Sequence, residues 1–127
     1  MTPQVPMVLS ELAGLAMRNG APDVPGGERQ TALALTAMLL GVAAEVWDSA
    51  AENLVQENRA MAALLDDNAA ETDLRLTTLR AENARLRGLL IAAHVAAEAA
   101  GDLSRQAAIW AELVASTERR KLSISSI

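Results

Sequence analysis

A stretch of forty residues, from Glu28 to Asp67, contains no proline and only one glycine, Gly41. Its large apolar side chains recur every seven residues, with a second apolar series between them. The first series is Leu33, Leu40, Trp47, Leu54 and Met61, and the second is Ala37, Ala44, Ala51, Asn58 and Leu65. Such a repeat predicts a helix roughly 60 Å long at 1.5 Å per residue, which packs along one side against another helix.

A second stretch, residues 72–100, carries the same repeat. Its members are Leu79, Leu86, Ala93 and Ala100, together with Leu76, Asn83, Leu90 and Ala97. The intervening Asp66-Asp67-Asn68 is typical of a turn. We therefore predict that the two long helices form an antiparallel, coiled-coil-like hairpin centred near residues 70–71.

The second apolar series of each helix contains one asparagine, and the hairpin places Asn58 opposite Asn83. A lone amide in an apolar layer is costly to desolvate, whereas two facing amides can exchange hydrogen bonds and favour one register. We therefore predict that they share a layer, and that Met61 lies opposite Leu79. The same register brings Glu57 and Glu82 to one edge, where like charges repel by a few tenths of a kcal/mol.

The remaining chain completes an all-α helical bundle, predicted as a single domain with a short N-terminal helix and a C-terminal helix at the base of the hairpin. The predicted elements are a short helix at 8–19, a Pro/Gly loop at 20–27, a long helix at 28–67, a third helix at 72–100, a fourth helix at 102–121 and a tail at 122–127. Trp47 and Trp110 lie on apolar helix faces, which predicts that both are core residues; the alternative is that they form the floor of a ligand pocket. Trp110 is expected to fill space beside the alanine-rich helices. The basic run 119–121 is expected to interact with the helix C-terminus.

Composition excludes several classes of function. The chain has 27 Ala and 19 Leu among its 127 residues, a net charge of −5, one lysine and no Cys, Phe or Tyr. Disulfides and thiol chemistry are excluded, and an acidic chain disfavours nucleic-acid binding. No secretory signal is expected, and the longest uncharged run, residues 30–44, is shorter than the ~20 residues of a membrane span. We expect a soluble, cytoplasmic protein without a membrane span.

One cluster of possible ligands follows from the hairpin. Asp48 and His94 fall on one edge of the hairpin. Glu45 lies one helical turn before Asp48, and Glu98 lies one helical turn after His94. Carboxylates and an imidazole suit a divalent metal or a general base. The alternative is a surface hydrogen bond between Asp48 and His94, with both glutamates solvated.

The residue types for Ser/His/Asp catalysis are present, but no nucleophile elbow or glycine-rich oxyanion loop occurs in the sequence. The local pattern at 81–86, Ala-Glu-Asn-Ala-Arg-Leu, resembles that of helical secretion and flagellar export chaperones. This resemblance covers a few heptads and transfers no functional residue. We expect a non-enzymatic protein-interaction module without a cofactor, which forms a homodimer and acts as an adaptor, small regulator or export-type chaperone. The alternative is a helical-bundle metal- or small-molecule-binding protein.

Overall fold

The computed structural model describes residues 4–20, 26–67 and 71–123, and it confirms the all-α helical bundle. Four α-helices occur in these residues, with a π-helical turn at Ala16–Gly20, and no strand occurs among them. The helices are α1 (Val5–Leu15), α2 (Glu28–Leu64), α3 (Leu76–Ala100) and α4 (Leu103–Arg119). Most of the predicted loop at 20–27 and most of the tail at 122–127 lie outside the described residues.

Local hydrogen bonds set the ends of α3 and α4. The carboxylate of Asp73 accepts bonds from the backbone N–H of Arg75 and the hydroxyl of Thr78, at 3.0 and 2.8 Å. These bonds hold the chain outside the helix, so that α3 begins four residues later than predicted. Gly101 ends α3 in the left-handed conformation with φ 66°, as predicted for a glycine at this position. Asp102 then caps α4 by accepting a bond from the backbone N–H of Arg105.

Packing divides the chain into two compact units, Met1–Ser49 and Ala50–Ile127, with the boundary inside α2. The first, here called the N-terminal unit, contains α1 and the first part of α2, where Ala37 and Ala44 are buried. The second, the C-terminal unit, contains the end of α2 together with α3 and α4.

The core of the C-terminal unit lies where its three helices meet. Its buried members are Met61, Ala62, Leu86, Leu90 and Ile109, with Leu64, Leu65 and Ala93 packed beside them. The side-chain amide of Gln106 donates to the carbonyl of Ala97 at 3.2 Å, so α3 and α4 form an antiparallel helical hairpin around Gly101. At the end of α2, Arg105 donates to the carbonyl of Leu64 at 2.9 Å.

Contacts between α2 and α3 centre on the asparagine layer. Asn58 meets Leu79 and Asn83, in agreement with the predicted register. Met61 belongs to the same buried cluster as Leu86 and Leu90, and its predicted partner Leu79 is not a member of that cluster.

Two acidic residues between α2 and α3 bind arginines on these helices. Glu71 binds the guanidinium of Arg59 on α2 at 3.1 Å, and Asp67 binds Arg85 on α3 at 2.7 Å. Residues 68–70, at the predicted turn, lie outside the described residues.

Candidate functional site

Two buried asparagines form a hydrogen-bonded layer between α2 and α3. Asn83 Nδ2 donates to Asn58 Oδ1 at 2.8 Å, and Asn58 Nδ2 donates to the carbonyl of Leu79 at 3.1 Å. The guanidinium of Arg87 also donates to Asn83 Oδ1 at 3.0 Å. The predicted contact between the two amides is therefore confirmed, and both are satisfied in a buried position.

Glu57, next to the asparagine layer, joins all three helices of the C-terminal unit. Its side chain is only 3% exposed. Arg120, just after α4, donates to Glu57 Oε2 at 2.7 Å, and Arg87 on α3 donates to Oε1. Arg87 also donates to the hydroxyl of Ser116 on α4 at 3.3 Å. We call Glu57, Arg87, Ser116 and Arg120 the charged cluster.

Electrostatics keep the Glu57 carboxylate ionised. Burial by itself raises its pKa, but the hydrogen bonds and charges of Arg120 and Arg87 outweigh that effect and lower the pKa below its ordinary value. The predicted repulsion between Glu57 and Glu82 has no counterpart here, because Glu82 binds Arg85 at 2.7 Å.

The asparagine layer is expected to show strong coupling between its two amides. Replacing Asn58 or Asn83 alone with Leu leaves one buried amide without its partner amide. We expect each single change to lower the free energy of unfolding by about 1–3 kcal/mol. The double replacement removes both amides and should cost less than the sum of the two single changes. Urea unfolding of the four proteins measures this coupling, and strictly additive costs would contradict it.

Helix α4 turns its apolar side away from the core of its own unit. Ile109 and Ser116 are buried, whereas Leu103, Trp110 and Val114 are 75%, 65% and 48% exposed. The prediction that Trp110 is a core residue is therefore wrong. Ile109, adjacent in sequence and about 100° away around the helix, occupies the inward position.

Four exposed apolar residues of α4 follow a 4-3-4 spacing, and Leu113, which is 38% exposed, lies beside them. We call them the α4 stripe; its members are Leu103, Ala107, Trp110 and Val114. The inward side of the same helix is more polar and includes Ser116 and the half-buried pair of Glu112 and Arg119, which bind each other. An amphipathic helix in a monomer ordinarily has the opposite orientation.

The N-terminal unit also exposes large apolar side chains. Trp47 is 54% exposed, so its prediction as a core residue is wrong as well. The others in this unit are Val5, Met7, Val8, Leu12, Leu15, Met17, Leu35, Met38, Leu39 and Val46. Within the ranges described, α2 alone is long and apolar enough to cross a membrane. Core helices of soluble proteins pass the same test, so the expectation of a chain without a membrane span stays a prediction.

The four possible metal ligands are divided between the two units. Glu45 and Asp48 lie on α2 in the N-terminal unit, and His94 and Glu98 lie on α3 in the C-terminal unit. Within residues 4–20, 26–67 and 71–123, no group of three or more His, Cys, Asp or Glu side chains is arranged to hold a metal ion.

Two open cavities in the C-terminal unit were not anticipated from the sequence. One, of about 340 Å³, has Asp73 and Glu82 in its lining, and Arg75 and Arg85 bind these carboxylates. The bonds from Arg75 and Thr78 hold the pKa of Asp73 at about 2.

The other cavity, of about 440 Å³, is lined by the cationic groups of Arg87, Arg120 and Lys121. Glu57 binds both arginines, and Glu118 binds the lysine at 2.7 Å. In both cavities these charged groups are therefore engaged in ion pairs.

The chain matches no protein family model, no curated protein and no solved structure.

Proposed function

We propose that this protein is a non-enzymatic, homo-oligomeric helical interaction module that acts in the cytoplasm. The observation that carries the proposal is the orientation of α4, whose stripe faces outward with Leu103 and Trp110 more than half exposed. Contiguous apolar surface of this kind is typical of a protein–protein contact. Aromatic side chains such as Trp110 are also enriched at the centres of such contacts.

The charged cluster supports the same proposal, because it fastens the helix that bears the stripe. Glu57 binds Arg120 beside α4 and Arg87 on α3. A contact surface that is held rigidly before binding loses less entropy when its partner docks. An adaptor, a small regulator and an export-type chaperone would each use such a surface, so the proposal covers the class and assigns none of the three.

The alternative, a metal or small-molecule protein, would depend on Glu45, Asp48, His94 and Glu98. It draws no support from the geometry, because these residues form no ligand group within the described part of the chain. Asp73, Glu82 and Arg120, which line the cavities, are already held in ion pairs, which also favours a structural over a catalytic role.

Light scattering during size exclusion tests the proposal directly. We expect a mass of about twice 13.4 kDa at micromolar protein, because a dimer covers apolar surface that the single chain leaves in water. A mass of 13.4 kDa at every concentration up to the millimolar range would contradict it.

A further inference from the structure

We propose that the α4 stripe is the dimer interface, and that it packs antiparallel against the same stripe of a second copy around a two-fold axis. This inference rests on the proposed function and adds to it the surface, the partner and the orientation.

The spacing of the stripe is that of a coiled-coil seam. Its four residues occupy successive a and d positions of a heptad repeat, and all of them are exposed in the single chain. The next two a and d positions of the same repeat are Thr117 and Lys121, which are polar. The apolar seam therefore ends after Val114, and in the proposed dimer the second helix covers the part from Leu103 to Val114.

The sizes of the side chains favour an antiparallel pair. In that arrangement Trp110 lies over Ala107 of the second copy, and Leu103 lies beside Val114 of the second copy, so a large side chain meets a smaller one in each layer. In a parallel pair the two Trp110 rings would share one layer and the two Ala107 methyl groups another. Such a pair would be crowded in one layer and would leave a gap in the next.

Charge points to the same face. Each chain has a net charge of −5, so two copies repel each other over most of their surface. The α4 stripe carries no charged side chain, and it therefore offers a place where two copies approach at low electrostatic cost. An antiparallel arrangement also sets the positive end of one helix dipole beside the negative end of the other.

The absence of cysteine makes the orientation measurable. Single replacements Ala108→Cys and Thr117→Cys each place one spin label per chain at an exposed site of α4. The proposed axis passes between residues 108 and 109. At 1.5 Å per residue, the two labels in a dimer are then separated along the helix axis by about 2 Å for residue 108 and about 25 Å for residue 117. We expect the distance measured by pulsed electron resonance to be longer for Thr117→Cys by roughly 20 Å.

A charge-introducing variant tests the surface itself. Trp110→Lys is expected to convert the dimer to a monomer. The circular dichroism spectrum should stay unchanged, because Trp110 lies outside the core of its own chain. Trp47→Lys is the matched control, since Trp47 is also exposed but lies in the N-terminal unit, and it should remain a dimer. Val114→Lys provides a second test of the stripe if Trp110→Lys fails to fold.

The outcomes separate this inference from the function on which it rests. A monomeric parent protein would overturn both. A dimeric parent whose Trp110→Lys and Val114→Lys variants also stay dimeric would overturn the α4 interface and leave homo-oligomerisation standing. Equal short distances at residues 108 and 117 would overturn the antiparallel arrangement. The last outcome is a monomer whose Trp110 fluorescence, measured in Trp47→Phe, shifts to the blue when phosphatidylglycerol vesicles are added. It would show that the α4 stripe binds a lipid surface instead of a second copy.

Discussion

Replacement of Glu57 with Gln is expected to lower the free energy of unfolding by about 3 kcal/mol. The change removes the one carboxylate that binds both Arg87 and Arg120 while keeping the size of the side chain. Removing one partner of a buried ion pair costs about 3–5 kcal/mol, and we place this site at the lower end. The reason is that the side chains of Arg87 and Arg120 are 39% and 51% exposed and can turn towards water.

Urea unfolding at neutral pH measures this effect. Glu118→Gln is the matched control, since the Glu118 side chain is 58% exposed and binds Lys121, which is exposed as well. Loss of the Glu118 carboxylate should lower the free energy of unfolding by less than about 1 kcal/mol. Equal effects of the two replacements would show that burial of the charged cluster adds nothing to stability.

The pH dependence gives the Glu57 experiment a second readout. The pKa of Glu57 in the folded chain is lowered from its ordinary value of 4.5, so its contribution to stability is present above that value and is lost as the pH falls through the folded pKa. The difference in stability between the parent and Glu57→Gln should therefore shrink below about pH 4.5. A difference that stays constant from neutral to strongly acidic solution would mean that the ionised carboxylate is not responsible.

Replacement of Leu86 with Ala is expected to lower the free energy of unfolding by about 2–5 kcal/mol. Leu86 is 1% exposed and packs with Met61 and Ile109, where the three helices of the C-terminal unit meet. Truncation loses the apolar transfer free energy of the side chain and leaves a cavity that the helices fill only in part. Chemical denaturation followed by circular dichroism provides the measurement.

Leu74→Ala is the control for Leu86→Ala, because Leu74 belongs to the same unit and is 64% exposed. We expect it to change stability by less than about 0.5 kcal/mol. A loss of stability at Leu74 as large as that at Leu86 would place the core elsewhere than described.

The sequence predicted those features that depend on a single helix and its nearest neighbour. The all-α class followed from the seven-residue repeats, and the Asn58–Asn83 contact followed from the cost of isolating one amide in an apolar layer. Gly101 was likewise predicted as the end of a helix, because glycine adopts positive φ without strain.

Features that depend on the docking of α4 escaped prediction. The stripe containing Trp110 is the more apolar side of that helix, so hydrophobicity alone placed it in the core. The core instead uses the side of Ile109, and Glu57 binds Arg120, which is 63 residues away in sequence. Sequence reasoning assigned the basic run 119–121 to the helix dipole and had no means of matching Arg120 to Glu57. The late start of α3 was missed for a local reason: Asp73 binds groups on the segment that follows it.

The antiparallel hairpin around Gly101 also bears on the order in which the C-terminal unit folds. Helices α3 and α4 are separated by two residues, so their contacts close a short loop and form at low entropic cost. Glu57 meets its arginines across 30 and 63 residues, so its bonds close much longer loops. We therefore expect the hairpin to form first and the end of α2 to dock after it. Substitutions at Glu57 are then expected to accelerate unfolding and to leave the rate of folding almost unchanged, which stopped-flow measurements of both rates would test.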